Sequence, residues 1–194
     1  SGGCAREPIS TFSPDLFGES ALPPGLATDR DILSPDEEAA LIPAIDSSPL
    51  EPFRFHGWTG KRLTHSYGWR YDFDQARFAE TDPIPNWLLP LRARAAAFAG
   101  LPEDALPHAL LIRYDPGAGI GWHRDRSVFD QVIGVSLGAS ALMRFRRRTE
   151  RGFERRSLNL PPRSAYLLSG EIRYGWEHSI APISETRWSI TFRS

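Results

Sequence analysis

Cysteine is almost missing: Cys4 is the only one in the 194-residue chain. No intrachain disulfide can form, and a cysteine-rich zinc site is excluded. Any bound metal must therefore rest on histidines and carboxylates. Lysine is as scarce, since Lys61 stands alone among 23 basic residues. Arginine carries the basic charge everywhere, a skew that reflects genome composition, so an arginine cluster alone is a weak sign of a site. Neither sign of charge is in excess. A net charge of −1 excludes a global attraction to nucleic acid. No apolar run reaches the ~20 residues that cross a bilayer, and no basic start leads into an apolar stretch as a secretory signal would. These absences predict a cytoplasmic protein with no membrane contact, and a monomer is expected. Methionine occurs once, at Met143, and Ser1-Gly2-Gly3 reads as a cloning remnant outside the fold.

What is present suits one globular domain: 41% hydrophobic residues can build a core, and 24% charged residues can solvate its surface. Residues 1–30, rich in Pro, Gly and Ser, predict an irregular lead-in. Ser34-Pro35-Asp36-Glu37 carries an N-cap, a first-turn proline and a capping-box glutamate, which predicts a helix running to about Asp46. After Pro85, the residues Trp87, Leu88, Leu91, Ala95 and Phe98 recur on one helical face, with Gly100 placed to end the helix. Between the helices, residues 53–73 are aromatic and broken by glycine, and predict two strands around a loop. From His108 the pattern changes to short β-like runs over 108–114, 120–125, 131–137, 141–148, 153–160, 164–169, 173–180 and 187–193. About eight strands in so short a stretch predict an antiparallel barrel or jelly roll. The fold class is thus mainly β with N-terminal helices.

Gly121-Trp122-His123-Arg124-Asp125 follows a Pro-Gly-Ala-Gly turn. Residues two apart in a strand share a face, so His123 and Asp125 can aim an imidazole and a carboxylate at one point. His-x-Asp also occurs by chance in surface turns, and two ligands make a poor site. His178, in a later strand, is the best third ligand. Two histidines and a carboxylate fill one face of an octahedron and leave the other open, as in non-haem Fe(II) oxygenases. Zinc would accept the same set.

The last strand alternates cleanly. Arg187, Ser189, Thr191 and Arg193 fall on one face, and Trp188, Ile190 and Phe192 on the other. If the apolar face packs against helices, the arginines point into the barrel, where they are costly unless anions pair with them. A dicarboxylate could accept a bidentate fork from Arg187, and Arg193 could reach Asp125.

These segments, LLIRYDPGAGIGWHRD (110–125), VSLGASALMRFRRR (135–148), PRSAYLLSG (162–170) with the following WEHSI, and RWSITFR (187–193), resemble the AlkB-like Fe(II)/2-oxoglutarate dioxygenases. The resemblance implies a double-stranded β-helix (jelly-roll) oxygenase core over 108–194, with helical support and a substrate lid over 31–107 in one domain, 31–194. It implies Fe(II) on His123, Asp125 and His178, 2-oxoglutarate on Tyr114, Arg187, Arg193 and Ser189, and dioxygen as oxidant. It further implies oxidative demethylation of N-alkylated bases in DNA or RNA, with release of succinate, CO2 and formaldehyde. Two positions depart from the family pattern. Ile112 stands where an Asn is frequent, so one co-substrate hydrogen bond is lost or replaced. Ser127 stands where base-repairing members can carry an acidic residue.

The segment KRLTHSYGWRYDF resembles the family's lid more loosely, and nominates Trp58, Arg62, Tyr67 and Trp69 as substrate contacts. Aromatic rings beside Arg62 and His65 could stack on a base, although Tyr67, Trp69 and Tyr71 also have the alternation of a core strand. The run from Arg144 to Arg156 could track phosphates, but Glu150 and Glu154 interleave, which favours a solvated face. The same oxygenase chemistry on a protein side chain, lipid or small molecule is the alternative reading. A non-catalytic metal-binding module or a cupin-like isomerase would have no need of the complete ligand set with two terminal arginines.

Overall fold

A computed structural model describes the backbone of residues 22–55, 58–72 and 77–194, and the side chains of 22–53, 61–69 and 81–194. Strand β1 (Leu26–Asp29) precedes helix α1 (Pro35–Asp46). Then come β2 (Glu51–Phe55), β3 (Trp58–Tyr67), β4 (Trp69–Asp72), β5 (Arg77–Glu80) and helix α2 (Leu89–Ala99). The rest is almost wholly β: β6 (His108–Tyr114), β7 (Ile120–His123), β8 (Val132–Gly138), β9 (Ala141–Thr149), β10 (Gly152–Leu160), β11 (Ala165–Leu168), a short helix α3 (Gly170–Tyr174), β12 (Glu177–Ile180) and β13 (Arg187–Arg193).

The helices begin and end where their local chemistry dictates. The Ser34 side chain accepts from the Glu37 amide while Glu37 accepts from the Ser34 amide, so two orphan donors of α1 are satisfied reciprocally. Gly100 closes α2 at φ 70°, a left-handed cap that a Cβ would disfavour.

The strands form a large sheet in the order β1-β11-β8-β13-β6-β3-β2 and a smaller one in the order β10-β9-β12-β7, with β4 and β5 pairing separately. All the pairings are antiparallel. Two packed sheets of this kind are the jelly-roll architecture. Each face of the large sheet has its own core. Leu111, Ile133, Val135, Leu137, Ile190 and Phe192 pack with Ile45 of α1 and with Leu91 and Ala95 of α2. On the other face Ile112, Tyr114 and Val132 meet Met143, Phe145 and Ile180 of the small sheet. Because both faces are covered, β8 is buried along nearly all its length and is apolar except at Ser136. The alternation of β13 is resolved as expected: Ile190 and Phe192 join the helix-side core, and the arginines enter the space between the sheets.

Some boundaries differ from the sequence expectation. Leu26–Asp29, inside the expected irregular lead-in, is an edge strand that pairs with β11; four residues carry too little periodicity to be read. Residues 1–21 lie outside the described residues. Residues 53–73 contribute to three strands rather than two. The run expected as a strand over 173–180 is split, because α3 ends at Gly175 and only 177–180 is extended. Among the described residues no helix is long and apolar enough to cross a membrane.

Candidate metal centre and anion pocket

β7 and β12 are neighbours, and their register sets His123 directly opposite His178. The imidazole centroids lie 4.3 Å apart. Asp125, just past the end of β7, brings Oδ1 to 3.5 Å from His123 Nε2 and 3.7 Å from His178 Nε2. The three ligand atoms lie within 4.8 Å of one another. An ion ~2.0–2.2 Å from each nitrogen and oxygen fits between groups spaced in this way.

The supports around these groups set their protonation. His123 Nδ1 lies 2.8 Å from the Gly121 carbonyl, which only accepts, so Nδ1 is the donor and Nε2 is the nitrogen turned toward Asp125. Burial, then the neighbouring His123 imidazole, lowers His178 to about 3, so it is a neutral group at physiological pH. Burial pushes the Asp125 carboxyl up, but the Arg193 guanidinium and the two imidazoles outweigh it and hold it well below the usual carboxylate range. Arg193 Nε donates to Oδ2 at 3.0 Å, which leaves Oδ1 facing the histidines. His108 packs beside Arg193 and is likewise lowered to about 3, by burial and then by that guanidinium.

These shifts carry a sign. His108 and His178 each bind a proton more weakly in the folded chain than at the ordinary value of 6.5, so acid favours the unfolded state. Stability of the metal-free protein is expected to be full above about pH 6.5 and to fall continuously toward pH 3. Urea midpoints at a series of pH values check this; a midpoint that rises on acidification contradicts it.

Arg187 sits at the far end of the same cavity and is 1% exposed. Its NH2 donates to Ser136 Oγ at 2.8 Å, and its guanidinium lies 4.8 Å from the Tyr114 ring centroid. Among the described residues its Nε and NH1 are buried and have no partner. Buried N–H groups of a charged side chain are rarely left unmade, and two on one guanidinium call for an anion such as a carboxylate. Tyr114, Ser189, Thr191 and Arg193 line the same cavity, with Tyr114 directly opposite Arg187 on β6. Ile112 lies there too and offers no hydrogen bond at that position.

Arg173 was not singled out from the sequence. It is 3% exposed, and its guanidinium donates to the carbonyls of Asp125, Arg126, Phe129 and Asp130. One side chain thus fixes the loop that follows the His-x-Asp pair. Only the turn of α3 aims it there, and an expected strand over 173–180 hid that turn.

The lid residues separate. β3 pairs with β6 so that Thr64 lies opposite Ile112 and Tyr67 opposite Ala109. Directly opposed residues share a face; Arg62, two residues before Thr64, therefore falls on the pocket side, and its guanidinium stacks 4.1 Å from the Phe53 ring. Tyr67 falls on the helix side and is buried in that core, with His65 edge-on at 4.6 Å. This corrects Tyr67 as a lid contact: the strand alternation sends it inward. Trp69 is 38% exposed. The side chains of Trp58 and Tyr71 lie outside the described residues.

The arginine run divides by face. Arg147 and Arg156 are paired with Glu154, and Arg147 also with Glu171. On the outer face of the small sheet, Arg146 lies 4.4 Å from both the Trp122 and Phe153 rings and is paired with Glu177. Arg144 and Arg155 border Trp122, and Arg148 borders Phe153. Among the described residues these three have no carboxylate partner.

Comparison with known proteins follows this geometry. The family described as the 2OG-Fe(II) oxygenase superfamily matches residues 48–193. The chain is 30% identical over 167 residues to tRNA (carboxymethyluridine(34)-5-O)-methyltransferase alkbh8 of Xenopus tropicalis, covering 84% of this chain but 26% of that protein. It is 32% identical over 149 residues to alpha-ketoglutarate-dependent dioxygenase AlkB of Escherichia coli (strain K12), covering 71% of this chain and 66% of that one. The solved structure of OsALKBH1 superposes with a TM-score of 0.71 at 15% identity, over 90% of this chain and 98% of the other, which is a likeness of fold. The family's cofactors are Fe(II), 2-oxoglutarate and dioxygen, and the His-Asp-His set with an anion-seeking arginine beside it fits them. The chain belongs to the 2OG-Fe(II) oxygenase superfamily, as an AlkB-like member.

Proposed function

We propose that this chain removes N-linked alkyl groups oxidatively from bases of DNA or RNA, with His123, Asp125 and His178 as the metal ligands and Arg187, Tyr114, Ser189 and Arg193 as the 2-oxoglutarate site. The observation that carries this reading is the two unpartnered N–H groups of buried Arg187 in the same cavity as the three-ligand cluster. Bound Fe(II) would activate dioxygen, the oxidant, with 2-oxoglutarate as the co-substrate oxidised alongside the methyl group. The balance is 2-oxoglutarate plus O2 plus a base N-methyl group giving succinate, CO2, the free base N–H and formaldehyde.

The side chains bind and orient. Arg187 takes the distal carboxylate on its guanidinium, which sets how far the other end reaches toward Asp125. Arg193 holds Asp125 Oδ2, keeps that carboxylate ionised, and fixes which oxygen faces the metal. Arg173 keeps the 125–130 loop in place beneath it. Arg62, on the pocket side of β3, is the substrate contact this geometry favours.

Nucleic acid as substrate draws support from the name of the frog relative, which refers to tRNA, and from the outer sheet face. Arginines layered with Trp122 and Phe153 are chemically suited to phosphates and unstacked bases. Replacing Arg144, Arg148 and Arg155 together by Gln is expected to weaken binding of a single-stranded oligonucleotide roughly tenfold at low salt, and to flatten the salt dependence by up to three charges. An unchanged salt slope would make this a solvated face. The reading itself is tested by formaldehyde release across a panel of methylated oligonucleotides. Release with one modified base supports it. Succinate without formaldehyde moves the substrate to proteins, lipids or small molecules.

A further inference from the structure

The cavity contains a phenol that neither the metal cluster nor the arginine pair accounts for. Tyr166 belongs to β11, and its register partner is Gly134 of β8. Gly134 in turn lies opposite Thr191 of β13. The Tyr166 ring lies over Gly134 so closely that a Cβ there would overlap the ring and approach its hydroxyl to 2.5 Å. A side chain from β11 that crosses β8 heads for β13, because β8 separates the two in the sheet. The hydroxyl therefore reaches the row of Thr191, between Arg187 and Arg193 on the same strand face. It lines the cavity with both arginines, Asp125 and His178. Among the described residues it has no hydrogen-bond partner.

The pair Gly134–Tyr166 is thus a complementary exchange, with one residue giving up its side chain so that the other can lay a ring across it. Packing alone would not need a hydroxyl at the end of that ring. Burial, then the neighbouring Tyr114, pushes the Tyr166 hydroxyl above the usual tyrosine range, so it stays a neutral donor. Ile112, which faces the same space, supplies no donor. A dicarboxylate anchored at Arg187 with its other end at Asp125 must pass this row.

We infer that Tyr166 is a co-substrate-binding residue, whose hydroxyl donates a hydrogen bond to an oxygen of 2-oxoglutarate, with Gly134 as the residue that makes room for it. This inference rests on the assignment of 2-oxoglutarate to the cavity. Calorimetric binding of 2-oxoglutarate to Mn(II)-loaded protein tests it without turnover. Tyr166→Phe keeps the ring and is expected to weaken binding roughly tenfold, the usual effect of losing a hydrogen bond to a charged acceptor. Gly134→Ala, which leaves the hydroxyl in the chain but displaces the ring, is expected to weaken it comparably. Near-wild-type melting temperature of Tyr166→Phe would separate the effect from folding. Wild-type binding with Tyr166→Phe equal to it overturns the inference alone. Wild-type protein that binds no 2-oxoglutarate overturns the cavity assignment and the inference together.

Discussion

Asp125→Asn is expected to remove detectable succinate formation while the protein remains folded. The substitution keeps the side-chain volume but discards the charge on which two imidazoles and Arg193 converge. Outer supports of a metal site typically cost ~10–100-fold in affinity when lost. A ligand should cost more, so Mn(II) or Co(II) affinity is expected to fall by more than ~100-fold in calorimetry. Arg193→Gln gives the matching scale for a support, within that ~10–100-fold range. An Asp125→Asn protein that binds metal as tightly as Arg193→Gln would remove the carboxylate from the ligand set. Arg193 also loses its buried counter-charge in Asp125→Asn, so some loss of melting temperature accompanies the change.

Arg187→Met is expected to separate binding from stability. Truncating one member of a desolvated charge pair costs ~2–5 kcal/mol of binding, which is about 30-fold to several thousand-fold in 2-oxoglutarate affinity. The ligand-free protein should tell the opposite story. Among the described residues Arg187 is buried with two N–H groups unmade and Ser136 as its one hydrogen-bond partner. Replacing such a charge by an apolar side chain of similar length is often neutral or stabilising. The melting temperature of ligand-free Arg187→Met is therefore expected to match or exceed wild type, while the thermal shift on adding 2-oxoglutarate disappears. A large loss of ligand-free stability with intact co-substrate affinity would make Arg187 a structural residue.

The parts of the molecule legible in the sequence are those in which one strand or one helix turn decides the outcome. The period-2 alternation of 187–193 sorts four polar from three apolar side chains, and the two cores on either side of β13 follow that sorting. The capping box at Ser34 and the glycine at 100 are equally local. His123 and Asp125 sit two apart at the end of one strand, and only the pairing of β7 with β12 was needed to bring His178 opposite. What could not be read depends on several elements at once. Tyr67 carries the same aromatic signature as Trp69, yet the register of β3 on β6 buries the first, while the second stays partly exposed. Arg173 looks like any other arginine until α3 turns it toward four carbonyls. Tyr166 and Gly134 are 32 residues apart in the chain and have meaning only as neighbours across two strands. The arginine run shows the same limit, since one alternation separates Arg147 and Arg156, which meet Glu154, from Arg144, Arg148 and Arg155, which do not.

The most direct test of the account is a crystal structure of the protein soaked with Mn(II) and 2-oxoglutarate under anaerobic conditions. The predicted result is one ion ~2.0–2.2 Å from His123 Nε2, Asp125 Oδ1 and His178 Nε2, with the co-substrate's distal carboxylate hydrogen-bonded to the Arg187 guanidinium through Nε or NH1. An ion bound elsewhere, or a dicarboxylate that leaves those two N–H groups unmade, would contradict it.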